Sequence, residues 1–272
     1  MLASKKIGFI GGGAIAESLV KGILNADLIA SSQIMVSDVS KERLNFLAET
    51  FGVATPQDAK DVASFAEVLF LTVKPQVVND VLFTIAPVVE KTTIVVSVAA
   101  GVTIDTLQGK LPGIPVIRVM PNTPVAVGAG MSAISLGQYA SAEAGELVSA
   151  IFSAVGRVVM VGEETLDAVT GFSGSGPGFA YVLIDALADA GVRVGFSRQT
   201  AILLAAQTLY GAAKMVLETG QHPAVLRDMV TSPNGTTIAG IHVLEQKGVR
   251  AALIDAVVEA TNRSREIGQS IT

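Results

Sequence analysis

Residues 7–16 read IGFIGGGAIA, and this stretch decides the fold class. It fits the pattern G-x-G-x-x-A on Gly11, Gly13 and Ala16, between an apolar strand pattern and a helical pattern. In such a turn Gly11 permits the tight bend, Gly13 lets a pyrophosphate approach the backbone, and Ala16 lets helix and strand pack closely. The helix N-terminus attracts phosphates through its free N–H groups and its dipole. We therefore expect a dinucleotide to contact Gly11, Gly12, Gly13, Ala14, Ile15 and Ala16.

Around this turn, residues 1–162 alternate between strand and helix patterns. Such alternation predicts βαβ units and a mostly parallel sheet, so we expect an α/β, Rossmann-type doubly wound domain here. The strand patterns lie at 5–10, 34–37, 68–73, 93–97, 116–120 and 131–136, and the clearest helical patterns at 14–25 and 41–51.

Residues 163–272 carry helical patterns only, which predicts an all-helical second domain. Within it, residues 200–213 read TAILLAAQTLYGAA and hold no charge. A helix that is apolar on every side has to be buried on every side. It packs either at the centre of its own domain or against a second subunit, and we expect the second arrangement, a homodimer through the C-terminal helices, alone or within a larger oligomer of dimers.

Composition excludes several chemistries. The chain has 272 residues, no cysteine and two histidines, so disulfides, thiolate sites and three-histidine metal sites are impossible within it. His242 and Glu245 stand three residues apart on a predicted helix but lack a third ligand nearby, so we expect no metal site.

Charge and hydropathy bear on the partners. The formal net charge of −5 argues against nucleic acid as the main partner. Mean hydropathy is high at +0.56, yet the apolar residues come in short runs, and we expect no stretch to pass as a transmembrane helix. The N-terminus shows no signal pattern, so we expect a cytoplasmic protein without membrane contact.

The end of the second strand bears on cofactor choice. An acid at this point, here Asp38, normally bonds the ribose 2′-OH and repels a 2′-phosphate. Ser37, Ser40, Lys41 and Arg43 could nevertheless bind such a phosphate. If Asp38 is the last residue of the strand, NAD is favoured, and if it points outward as the cap of the turn, NADP stays open. Ser37 and Asp38 are therefore expected cofactor contacts, and both NADH and NADPH stay open.

The next three strands also end in candidate binding loops. In an open α/β sheet, ligands bind outside the carboxyl ends of the strands. The alternatives are a solvated loop lysine at Lys74 and a merely rigid turn at 120–124. The expected cofactor contacts in these loops are Val73, Lys74, Pro75, Ala99, Ala100, Gly101, Met120, Pro121 and Asn122.

In the helical half, residues 232–237 read SPNGTT and form the most informative stretch. The Pro-Asn-Gly turn feeds a helix N-terminus, which offers several backbone N–H groups to one anion, and a small carboxylate fits that need. The alternative is an ordinary helix cap supplied by Thr236.

Several segments together resemble pyrroline-5-carboxylate reductase, the last enzyme of proline biosynthesis. They are VKP at 73–75, SVAAGVT at 97–103, RVMPNTP at 118–124, GFSGSGP at 171–177 and DMVTSPNGTT at 228–237. Their order and spacing match along essentially the whole chain. Two positions depart from the family: Asn234 stands where it usually shows glycine, and Asp38 is unusual for an NADP-preferring member. Asparagine tolerates the left-handed conformation, so the first departure is mild.

The resemblance implies hydride transfer from C4 of NADPH or NADH to C5 of 1-pyrroline-5-carboxylate, giving L-proline. By similarity, Ser232, Thr236 and Thr237 hold the substrate carboxylate, and the Thr237 hydroxyl, as the catalytic candidate, reaches the ring nitrogen. Threonine is a poor acid, so we expect it to orient or relay a proton. The resemblance also places the turn at 173–177 near the nicotinamide and substrate. The alternative is that its small residues serve only helix capping and close packing. The expected substrate contacts are Ser175, Ser232, Asn234, Gly235, Thr236 and Thr237.

Two alternatives remain. A hydroxyacid dehydrogenase of similar layout needs a lysine base with a nearby asparagine on an interdomain helix, but residues 178–192 carry no lysine and Lys214 has no such partner. An inactive dinucleotide-binding paralogue would have little reason to keep the turn at 232–237.

Overall fold

The computed structural model describes residues 2–271, with side chains described up to residue 269. The chain forms two compact units, one running to Ser175 and resuming at Glu259, the other comprising Gly176–Val258. The boundaries of these units differ from the boundary between the domains 1–162 and 163–272 that the sequence predicts. That division therefore stays a prediction.

The first unit is built on a seven-stranded sheet with the strand order β2-β1-β3-β4-β5-β6-β7. Strands β1 to β5 run parallel, β6 is antiparallel to β5, and β7 is parallel to β6. The predicted Rossmann-type fold class is confirmed. The strands are β1 Ile7–Ile10, β2 Ile34–Ser37, β3 Val68–Leu71, β4 Ile94–Ser97, β5 Val116–Met120, β6 Gly130–Leu136 and β7 Gly156–Met160.

Helices cover both faces of this sheet, and alternate residues of β3 show why its sequence is continuously apolar. Phe70 belongs to one core, where its ring stacks on Phe9 at 4.8 Å between centroids. Leu69 and Leu71 belong to the core on the other face. A central parallel strand is buried on both faces, so its sequence is apolar throughout and does not alternate with polar residues. The helices of this unit are α1 Ala14–Asn25, α2 Lys41–Phe51, α3 Ala59–Phe65, α4 Val78–Ile85, α5 Ile104–Lys110, α6 Ala142–Ser153 and α7 Leu166–Val169, which a π-helical turn Thr170–Gly174 continues.

The second unit is helical, and it leaves much of its apolar surface uncovered within one chain. Its long helices α8 and α9 pack closely, since a Cβ on Gly191 would lie 2.8 Å from that of Ala201. On α9 the buried side chains are Ala201 and Ala205. The helices are α8 Gly176–Arg193, α9 Arg198–Thr219, α10 Pro223–Met229, α11 Thr236–Gln246 and α12 Val249–Ile271, whose part from Glu259 belongs to the first unit.

Helix α9 corrects one expectation from the sequence. Its 22 residues are long enough and apolar enough to cross a membrane, judged by length and composition alone. The expectation that no stretch of the chain passes as a transmembrane helix is therefore wrong. The charged residues Arg198, Lys214 and Glu218 lie towards the ends of the helix, and scattered glutamine, threonine and tyrosine concealed the apolar window between them. The core helix of a soluble protein passes the same test, so this property alone assigns no membrane.

Candidate active site

The glycine loop between β1 and α1 has the geometry that a dinucleotide turn needs. Gly11 adopts φ +99°, and a Cβ there would lie 2.8 Å from the backbone of Thr72. The Thr72 hydroxyl donates to the Gly11 carbonyl at 2.6 Å and fixes the turn against β3. Only glycine fits this combination of positive φ and close approach.

The N-terminus of α1 leaves an open cradle for an anion. Gly13 is the N-cap residue, it receives no side-chain cap, and no atom lies within 4 Å of the place where its Cβ would be. The N–H groups of Gly13, Ala14 and Ile15 donate to no other described residue. Ala16 is fully buried against the core. Open space and unpaired N–H groups fit the pyrophosphate of a dinucleotide.

Asp38 follows the last residue of β2 and faces this loop. Its Oδ2 accepts the Gly12 N–H at 2.7 Å, and its Oδ1 accepts the Ser40 N–H at 2.8 Å. The Ser37 carbonyl accepts the Gly11 N–H at 2.8 Å, while the Ser37 hydroxyl is buried without a partner among the described residues. The structure therefore brings Ser37 and Asp38 directly to the glycine loop, while their contact with a cofactor stays a prediction.

The loops after β3 and β4 lie at the same edge of the sheet. Neighbouring strands are tied there by the Thr72 N–H, which donates to Ile10 at 2.9 Å, and by the Val98 N–H, which donates to Leu71 at 3.2 Å. Lys74 is exposed, with no side-chain partner among the described residues. The small residues Ala99, Ala100 and Gly101 form a turn in which Gly101 adopts φ +77°. The predicted cofactor loops thus converge at the carboxyl edge.

Asn122, in the loop after β5, uses both of its polar atoms within the protein. Its Nδ2 donates to the Ser173 carbonyl at 3.0 Å, and its Oδ1 accepts the Met131 N–H at 2.8 Å. A Cβ on Gly174 would lie 2.8 Å from the Met120 methyl group. Residues 120–122 are therefore clamped to the π-helical turn, while the direct contact of Asn122 with the cofactor stays a prediction.

The π-helical turn is itself supported by the last helix, a feature that the sequence reasoning missed. A Cβ on Gly171 would lie 2.6 Å from the Thr261 nitrogen, and the Ser264 hydroxyl donates to Asp167 at 2.7 Å. The predicted substrate residue Ser175 donates its hydroxyl to the Thr170 carbonyl at 3.1 Å. These partners lie up to 97 residues apart, so only the conspicuous Gly-Ser-Gly composition could have signalled tight packing here.

The turn at 232–237 belongs to the second unit and opens helix α11. Asn234 adopts φ +55°, which is the left-handed conformation that asparagine tolerates. Gly235 is the N-cap residue, its N–H donates to the Ser232 carbonyl at 3.0 Å, and no side chain caps the helix. Thr236 is the first helical residue, so the alternative that it caps the helix is wrong.

The start of α11 therefore keeps donors available. The N–H groups of Thr236, Thr237 and Ile238 donate to no other described residue. Thr237 is half-buried, and its hydroxyl has no hydrogen bond within the described part of the chain. This arrangement suits a small carboxylate.

The histidines and acidic residues of the helical unit are not grouped into a metal site within the described part of the chain. His222 is the N-cap of α10, where its Nδ1 accepts the Ala224 N–H at 3.2 Å. Glu245 accepts from Arg250 at 2.7 Å, and this hydrogen bond lowers the pKa of Glu245. Among the described residues, no group of three or more acidic or histidine side chains is arranged to hold a metal ion.

Comparison with known proteins decides the family. A model described as pyrroline-5-carboxylate reductase dimerisation matches residues 163–267, and one described as NADP oxidoreductase, coenzyme F420-dependent, matches residues 6–101. The pyrroline-5-carboxylate reductase of Arabidopsis thaliana is 45% identical over 98% of this chain and 97% of its own. The chain belongs to the pyrroline-5-carboxylate reductase family. The family resemblance drawn from the sequence is confirmed.

Further members of the reductase family are similar to this chain, in sequence or in structure, over nearly their full length. That of Methanosarcina acetivorans is 44% identical over 98% of this chain and 100% of its own, and that of Escherichia coli K12 is 40% identical over 98% and 99%. The solved reductase of Coxiella burnetii superimposes with a TM-score of 0.92 at 36% identity, covering 97% of this chain and 98% of its own. The Plasmodium falciparum enzyme, solved with NADP bound, gives 0.87 at 28% identity, covering 98% and 100%.

Proposed function

We propose that this chain reduces the C=N bond of 1-pyrroline-5-carboxylate to give L-proline, with NADPH or NADH as the reductant. The observation that carries this proposal is its 45% identity, over 98% of the chain, to a reductase of that name. A hydroxyacid dehydrogenase is less favoured because α8 contains no lysine base. An inactive paralogue is less favoured because the uncapped turn before α11 is kept.

The cofactor-binding residues of the proposal are those of the carboxyl edge. When bound, the nicotinamide cofactor supplies a hydride. The N–H groups of Gly13, Ala14 and Ile15 would hold its pyrophosphate, because they point into an open cradle without other acceptors. The loop at 99–101 carries no large side chain and leaves room for a flat ring beside the backbone. Lys74, exposed and unpaired among the described residues, would contact the ribose or phosphates.

For the substrate, we assign the turn before α11 to carboxylate binding. Ser232, Thr236 and Thr237 supply hydroxyls there, and the free N–H groups of the first helical turn add charge-assisted hydrogen bonds. The Thr237 hydroxyl would orient the ring nitrogen or a water that protonates it. A protonated cyclic imine is already a good electrophile, so positioning supplies most of the catalysis.

The matched dimerisation region supports assembly into homo-oligomers. We propose a homodimer through helices α8 to α12, alone or within a larger oligomer of dimers, acting in the cytoplasm on a small-molecule substrate. The functional division would then follow the family model, with cofactor binding in residues 1–162 and dimerisation and substrate binding in residues 163–272.

The test is a coupled measurement of cofactor oxidation and product. Purified protein mixed with 1-pyrroline-5-carboxylate should consume NADH or NADPH and form an equal amount of L-proline, identified by mass spectrometry. A panel of 2-ketoacids, the reverse substrates of hydroxyacid dehydrogenases, serves as the control and should give no turnover. Absence of proline with both cofactors would refute the proposal.

A further inference from the structure

Asp38 is placed where it meets the adenosine ribose of a bound dinucleotide. In this fold an acid at the end of the second strand lies beside the ribose hydroxyls. Both Asp38 oxygens are already held by backbone N–H groups, those of Gly12 and Ser40, so the carboxylate cannot swing away without losing two hydrogen bonds. Each carboxylate oxygen can accept twice, so one site on each oxygen stays available for a ribose hydroxyl.

Arg43, which contacts the same loop residue Gly12 as Asp38 does, is already paired with a carboxylate. The Arg43 guanidinium donates to the carboxylate of Glu17 and to the carbonyl of Gly12. It also lies over the ring of Phe46, 4.9 Å from its centroid. These hydrogen bonds use two of the five N–H donors of Arg43, and the Glu17 carboxylate offsets its positive charge, which weakens its attraction for a phosphate.

The residues next to Asp38 add no other fixed cation. Val39 is 96% exposed and offers an apolar side chain where a phosphate needs a donor. The Ser40 hydroxyl accepts the Arg43 N–H as the cap of α2. Lys41 is the one nearby ammonium without a partner among the described residues, and it is exposed on the first turn of α2.

We propose that Asp38 is a specificity-determining residue that makes NADH the preferred cofactor of this chain. Its fixed carboxylate accepts from the 2′-OH of the adenosine ribose and repels a phosphate on the same oxygen, while Glu17 withholds Arg43 from that phosphate. The discrimination thus uses both a favourable contact to one cofactor and a repulsive one to the other. The inference rests on the dinucleotide site of the proposed function. The preferred cofactor would then differ from NADP, which the description of the family model matching residues 6–101 names.

The direct test is binding, measured without substrate on the full-length protein. Calorimetry with NADH and NADPH, and with the fragments adenosine 5′-monophosphate and adenosine 2′,5′-bisphosphate, gives two independent affinity ratios. We expect each ratio to favour the ligand without the 2′-phosphate by about 10-fold or more, since juxtaposed like charges are costly. Equal affinities, or tighter binding of the 2′-phosphorylated ligands, would overturn the proposal.

Variants then show which residue sets the ratio of NADH to NADPH affinity. Asp38→Asn removes the charge at nearly constant shape and should shift the ratio towards NADPH by about 10-fold. Glu17→Gln leaves the Asp38 bonds in place and frees Arg43, so it should tighten NADPH binding while NADH binding stays unchanged. Glu42→Gln is the matched control, because it removes one negative charge from an exposed position of α2, the helix that carries Arg43, and its ratio should equal that of the wild type.

Two results would count against Asp38. One is an unchanged affinity ratio in folded Asp38→Asn. The other is a Lys41→Gln variant that binds NADPH more weakly than the wild type while its NADH affinity stays unchanged, because that result would assign the 2′-phosphate to Lys41. Since these readouts need no turnover, an enzyme inactive on 1-pyrroline-5-carboxylate would contradict the proposed function and leave the affinity ratios as the test of Asp38.

Discussion

Thr237, at the residue scale, combines two features that rarely meet in an ordinary helix start. It is half-buried, and neither its N–H nor its hydroxyl has a partner within the described chain. A helix N-terminus without a side-chain cap offers its N–H groups to an anion, and the Thr237 hydroxyl adds a donor beside them. This is the structural argument for placing the substrate carboxylate and ring nitrogen beside Thr237.

Substitution Thr237→Ala should therefore lower kcat/KM for 1-pyrroline-5-carboxylate by about 10- to 100-fold, as expected when one orienting hydrogen bond in the transition state is lost. The reason is the loss of the hydroxyl alone, since alanine preserves the helix. Steady-state kinetics measures the effect, and circular dichroism and cofactor affinity should stay unchanged. Thr237→Ser keeps the hydroxyl and is the control, which should retain most of the activity. A kcat/KM of Thr237→Ala equal to that of the wild type would remove this residue from the site.

Residues whose roles follow from local chain geometry are the ones that sequence reasoning can place. Gly11 and Asn234 adopt positive φ, which their residue types and neighbours indicate. Asn122 is different, because its partners Ser173 and Met131 are brought to it only by the fold. The residue type suggested a contact with the cofactor, while the structure shows a clamp between loops.

At the scale of elements, that clamp joins the end of β5, the start of β6 and the π-helical turn. One amide side chain satisfies a carbonyl and an N–H that belong to different segments. A π-helical turn interrupts regular helix bonding, and such turns are frequent at functional sites. The clamp therefore holds the loop that follows β5 in register with the turn predicted to lie near the nicotinamide.

We expect Asn122→Asp to reduce the free energy of unfolding by about 1–3 kcal/mol, because it faces the Ser173 carbonyl with a second acceptor. As a positioning residue it should also lower kcat more than it weakens cofactor binding. Urea denaturation and steady-state kinetics on the same preparation measure both effects. Asn79→Asp, the same change at an exposed position in the first turn of α4, is the control and should lower neither quantity, because a carboxylate is favourable at a helix N-terminus. If Asn122→Asp matched that control, the clamp would have no positioning role.

Elements with a strong local pattern were predictable, and weakly patterned elements were not. The four residues of β3 are all buried, and their uninterrupted apolar run indicated a central strand. Strand β7 escaped the sequence analysis because it is only half-covered and mixes Arg157 with apolar residues. Helices α3 and α5 have seven residues each and bury two side chains each, so they are too short to show a helical period.

For the whole molecule, the two units differ in how they cover their apolar residues. The sheet unit closes two cores within one chain. In the helical unit, by contrast, Tyr181, Leu203 and Met229 are more than 60% exposed. Many large apolar side chains are exposed in this unit, and where such side chains form a patch they mark an interaction site in soluble proteins. The matched dimerisation region covers these residues, so a second copy of the chain is the partner that the surface fits.

The decisive experiment at this scale compares two substitutions of exposed large side chains by glutamate. Leu203 is 68% exposed on α9 within the matched region 163–267, whereas Phe83 is 83% exposed on α4 outside it. Burial of a leucine contributes about 1.5–3 kcal/mol, and a two-fold interface buries it twice. Leu203→Glu should therefore weaken association by about 100-fold or more, because it also places an unpaired charge in the interface. Light scattering after gel filtration should show a wild-type dimer or larger oligomer, a dissociating Leu203→Glu and an unchanged Phe83→Glu. A wild-type chain that is monomeric and active would refute this account of the apolar helices, since their exposed surface would then be stable in water.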